Sequence, residues 1–146
     1  METPKHLKLT TARINALEPN LKWVESLEER IEHAEMLDAF VSRFSRLQDT
    51  LGDKLLPALL RITLEKTGSQ LDNLLRAEKM GWLISAESWI EIRMLRNKIV
   101  HEYMDSPASL LQALTSALNS TDILIQAQEN LAQYARQLQQ TLAAQK

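Results

Sequence analysis

The stretch Ile92 to Asp105, I-R-M-L-R-N-K-I-V-H-E-Y-M-D, decides how the chain is read. Wound as a helix at about 100° per residue with Arg96 at zero, Ile92, Leu95 and Ile99 fall between roughly 260° and 320°, a compact stripe for the chain's own core. Glu91, Lys98 and Glu102 fall at about 200° to 240°, a solvated face. The remaining arc mixes Trp89, Ile90, Met94 and Val100 with Arg93, Arg96, Asn97, His101 and Tyr103. A surface helix needs only one apolar face. A second face that is half apolar and half hydrogen-bonding points to another chain or a substrate cleft, with a buried polar network inside one domain as the equal alternative.

Outward from this helix the pattern stays helical. Thr3 and Pro4 are a start signal for a short helix to about Leu17, and Pro19 with Asn20 breaks and restarts the chain. From Leu21, Val24, Leu27, Ile31, Ala34, Leu37, Phe40, Val41, Phe44, Leu47 and Leu51 recur at three- and four-residue spacing without Gly or Pro, which predicts one long amphipathic helix. Gly52 fits the left-handed residue closing it, Asp53 the cap of the next helix, and Pro57 that helix's first turn. Leu55, Leu56, Leu59, Leu60, Ile62 and Leu64 are apolar on most sides and predict the most buried helix. Gly68 and Ser69 open a short helix to about Met80, Gly81 ends it, and Ser85 caps the helix from about Ala86 to Met104. Ser106 and Pro107 start a last helix reaching almost to the end, weakest at Asn119 to Asp122.

The expected fold is therefore all-α, an antiparallel up-down bundle of four main helices plus short ones, with residues 1–146 as one domain. Composition agrees: 45% of residues are apolar and 25% charged, with three glycines and four prolines in 146 residues, outside the disordered class and rich in helix formers. No cysteine means no disulfide framework and no thiolate metal site. The first ten residues lack the apolar core of a secretion signal and no run reaches bilayer length, so a cytoplasmic protein without membrane contact is expected. A net charge of −2 excludes a generic polyanion binder, leaving nucleic-acid contact to a local patch among Arg76, Lys79, Arg93, Arg96 and Lys98.

There is no phosphate-binding glycine loop, no H-E-x-x-H, no calcium loop and no dinucleotide fingerprint, and no cofactor is expected. His33 among Glu29, Glu32 and Glu35 imitates a metal site, but a charged solvated face is the expected explanation, and no metal is predicted.

The segment Arg96-Asn97-Lys98-Ile99-Val100-His101-Glu102-Tyr103 resembles the HEPN superfamily, whose signature is an Arg followed by a polar residue and, four to six residues on, a His. R-N-K-I-V-H has four intervening residues, and H-E-Y matches the H-x-Y extension of HepT-like toxins and of the related nucleotidyltransferase substrate-binding proteins. The helical pattern and the length fit as well.

The resemblance implies a metal-independent ribonuclease toxin with its cleft between the two subunits of a homodimer. Arg96, Asn97 and His101 would be the catalytic residues. His101 would serve as general base or acid on a ribose 2′-hydroxyl, Arg96 would stabilise the attacked phosphate, and Arg93 and Lys98 would bind the RNA. Residues five apart on a helix are about 140° apart, so Arg96 and its own His101 do not converge on one phosphate, whereas a twofold axis brings each toward the other's partner. The resemblance also implies a small nucleotidyltransferase antitoxin that silences the toxin by adenylylating Tyr103. Two alternatives stand beside it: a non-catalytic partner of a nucleotidyltransferase, and a purely structural helical dimer.

Overall fold

The computed structural model describes residues 4–63, 67–102 and 106–144; the side chains of Pro4, Val100, His101 and Glu102 lie outside the described residues. Among the described residues every regular element is helical: α1 (Pro4–Ala16), α2 (Leu21–Glu25), α3 (Ile31–Asp49), a π-helical turn (Thr50–Leu55), α4 (Leu56–Ile62), α5 (Gln70–Lys79), α6 (Ala86–Glu102) and α7 (Pro107–Ala144). The fold is an all-α bundle. Helix α7 packs on α6 and also on α1 and α2, while α6 lies against α3 and α5. Leu7, Ile14, Leu37, Phe40, Phe44, Leu60, Trp82, Ile99, Leu114 and Leu124 meet in one core.

Most start and stop signals act as their chemistry dictates. Asn20 accepts the Trp23 amide at 2.9 Å, and Ser69 with Asp72 forms a reciprocal capping box. Ser85 and Ser106 accept the amides of Ser88 and Ser109 at 3.1 and 3.3 Å. Gly81, at φ 82°, closes α5 in the left-handed region.

The long helix from Leu21 is a correction. It is broken after Glu25 by a turn over 26–29 and a non-helical Arg30 (φ −116°, ψ 84°). Within the turn, amides still find carbonyls three or four residues back, so the break sacrifices few backbone bonds. What it gains is packing: the Trp23 and His33 rings stack with centroids 5.6 Å apart. In a continuous helix ten residues would separate them by about 15 Å. The cost falls on Ile31, which ends 69% exposed instead of joining the core stripe.

Gly52 is a second correction: it neither ends a helix nor has positive φ. The chain runs from α3 through the π-turn into α4 without interruption, and Gly52 is buried there. A Cβ on it would meet the Trp89 indole Nε1 at 3.3 Å, so the missing side chain serves the close approach of α6. Asp53 accordingly caps nothing. Pro57 does lie in the first turn of α4, as expected, and the widened turn before it fits a residue whose ring crowds the carbonyl four back.

Helix α4 buries Leu56, Leu59 and Leu60 but leaves Arg61 and Ile62 exposed, so it is not the most buried helix; Leu64 lies outside the described residues. Helix α7 is continuous through Asn119–Asp122. Thr121 is buried there, and its hydroxyl donates to the Ala117 carbonyl at 3.1 Å.

Candidate functional site

Helix α6 carries the candidate residues, and its core stripe is as the register requires: Ile92 and Ile99 are buried and Leu95 is half-buried. The mixed arc divides. Trp89 leaves it for the core, closing on Gly52, while Ile90 is half-buried and Met94 stands 66% exposed. Arg93 and Asn97 are exposed beside Met94, and Lys98 is exposed on the solvated face with Glu91.

Arg96 sits at the edge between the two environments, its side chain 31% exposed. Its Nη1 donates to the Asn97 Oδ1 at 2.9 Å and its Nη2 to the Asp49 Oδ2 at 3.2 Å. Its Nε is buried without a hydrogen-bond partner. One turn earlier Arg93 donates to the Gln70 side-chain carbonyl and lies 3.8 Å from Asp53, which itself accepts from Gln70 Nε2 at 2.7 Å. Two cations a turn apart on α6 thus face two carboxylates four residues apart on α3 and the π-turn.

Beside Arg96 a groove of about 490 Å³ opens between α3 and α6, lined by Val41, Ser42, Ser45, Arg46, Asp49, Thr50, Asp53 and Lys54. Ser42, Arg46, Thr50 and Lys54 follow one another at four-residue spacing, a hydroxyl and cation stripe. Ser45, Asp49 and Asp53 form the neighbouring stripe toward α6. The Ser45 hydroxyl, like the Arg96 Nε, is buried and unpartnered. Exposed Ser42, Arg46 and Lys54 with the outer Nη hydrogens of Arg96 can offer donors to an anion at the point where a carboxylate now balances the guanidinium.

The structure brings Arg96 and Asn97 into direct contact and sets Arg93 one turn away, while Lys98 is exposed on α6. His101 belongs to α6, but its side chain, like the whole of Tyr103, lies outside the described residues. Asp49, Asp53 and Gln70 are the site residues that sequence reasoning missed. Reading Gly52 as a helix end placed Asp49 and Asp53 on different elements; their four-residue spacing opposite Arg93 and Arg96 was the available signal.

His33 differs from expectation in detail, being half-buried against Trp23 rather than part of a solvated face. Among the described residues no three His, Asp or Glu side chains are placed to hold a metal ion. Among them, too, no helix is long and apolar enough to cross a membrane. No family model, curated protein or solved structure matches the chain.

Proposed function

We propose that the chain is a HEPN-type, metal-independent ribonuclease toxin that works as a homodimer and is neutralised by a small nucleotidyltransferase antitoxin. The observation that carries this reading is the contact of Arg96 with Asn97 on the open edge of α6, beside a polar groove. A guanidinium held by one carboxylate and one amide keeps free N–H donors for a phosphate. The exposed Met94 next to half-buried Ile90 supports a second copy packing on the same face, since an apolar side chain that size gains by leaving water. In the dimer His101 of one subunit acts on the 2′-hydroxyl while Arg96 of the other stabilises the phosphate, with Arg93 and Lys98 holding the flanking strand.

The test is cleavage of single-stranded RNA by the purified protein with a chelator present, against His101→Ala and Arg96→Ala. Each variant should lose about 10² to 10⁴ in rate while sedimenting as the parent does. A dimeric His101→Ala protein that cleaves as fast as the parent ends the mechanism.

A second reading, a non-catalytic nucleotidyltransferase partner, is favoured by the carboxylates Asp49 and Asp53, which offset the charge of Arg96 and Arg93 and reduce attraction for RNA. Intact-mass measurement after co-expression with a small nucleotidyltransferase separates the two. An adenylate on Tyr103 together with loss of cleavage supports the toxin pair; complex formation with neither cleavage nor adduct supports the binding partner.

A further inference from the structure

We propose that Asp49 is a latch on Arg96, holding the guanidinium until a phosphodiester oxygen displaces it, and so sets the affinity of the α6 edge for a single-stranded nucleic acid backbone. This deepens the ribonuclease reading and rests on it for the identity of the ligand, but the contacts behind it are independent of catalysis.

Asp49 meets Arg96 through one contact of 3.2 Å, with the two side chains 48% and 31% exposed. A single-contact pair open to water holds weakly and exchanges readily. Carboxylate and phosphate compete for the same planar fork, so an arriving phosphate takes the Asp49 place rather than adding to it. With Asn97 and Asp49 each taking one N–H of the guanidinium, the second hydrogens on Nη1 and Nη2 are donors that Asp49 does not use, and Arg96 lines the same groove.

The neighbouring pair differs. Gln70 bonds to both Arg93 and Asp53, a three-way arrangement that ties α5 to the π-turn and α6. Asp53 is thus the braced carboxylate and Asp49 the exchangeable one. The π-turn matters here because it carries the chain past Gly52 without a stop, keeping Asp49 and Asp53 in one helical run opposite α6.

The experiment measures binding of a short single-stranded 2′-deoxyoligonucleotide, which lacks the hydroxyl needed for cleavage, across a salt series. The proteins are the full-length parent, Asp49→Asn, Asp53→Asn, and Asp49→Asn combined with Arg96→Ala. The latch predicts that Asp49→Asn tightens binding about 3- to 10-fold and steepens the log–log salt slope by about 0.7, one more cation engaged. The gain should vanish when Arg96→Ala is added, and Asp53→Asn should change affinity less than Asp49→Asn.

Unchanged or weaker binding by Asp49→Asn overturns the proposal, the latter making Asp49 a residue that positions Arg96. No binding by either protein overturns it as well. The Arg96-dependent gain with no RNA cleavage by the parent keeps the latch and removes the ribonuclease. Cleavage that depends on His101 without that gain keeps the ribonuclease and removes the latch.

Discussion

Glu18 holds φ at 47°, the left-handed region in which a β-carbon crowds the following carbonyl, and it is the one non-glycine in that region among the described residues. The conformation is imposed by its place between α1 and the Pro19 corner, where the Leu17 and Glu18 amides bond back to Ile14 and Asn15. Glu18→Gly removes the crowding at a site already exposed. It should raise the unfolding free energy by about 0.5–1 kcal/mol in a urea titration, with an unchanged m-value. A destabilised Glu18→Gly protein would mean that the side chain carries contacts outweighing the strain. The candidate positions on α6 show the converse limit at this scale. Arg96 and Asn97 could be picked out from residue type and spacing, but their mutual contact and the Asp49 partner depend on where a second helix lies.

At the level of the elements, the continuous run from α3 through the π-turn into α4 organises the site. Within it, Gly52 leaves room for the Trp89 indole of α6, whose Nε1 lies 3.3 Å from where a Cβ would stand. Gly52→Val puts a branched side chain into that contact. The change should cost about 2 kcal/mol in denaturant titration, as overpacking outweighs the helix propensity gained by losing a glycine. Since the same contact sets the α3 to α6 spacing, the variant should also weaken the Arg96–Asp49 pairing and broaden the Arg96 Nε–H resonance. A variant as stable as the parent would show that the two helices separate freely. The sequence pattern located nearly every helix here because caps and stops are local chemistry. It mistook Gly52 for a terminator because glycine ends helices and relieves close contacts with the same letter.

Across the whole chain, α7 spans the bundle and then runs beyond it. Leu131 is buried, Tyr134 and Leu138 are half-buried, and residues 139–144 are exposed, Leu142 included. A chain ending at Leu138 should unfold within about 0.5 kcal/mol of the full-length protein, because no buried apolar surface is removed. A loss above about 2 kcal/mol would show that the last turns pack on a second copy, which sedimentation of the two proteins would reveal directly.

The helical class, the order of the helices and the core face of α6 were written in the order of residues, since period, caps and composition act over a few neighbours. The break before Ile31, the burial of Gly52 and the opposition of Asp49 and Asp53 to Arg96 and Arg93 were not. Each depends on which distant surface a side chain meets: the Trp23 ring on His33, the Trp89 indole on Gly52, a guanidinium on a carboxylate 47 residues away. Local propensity is nearly indifferent among those outcomes, and close packing between helices chooses among them.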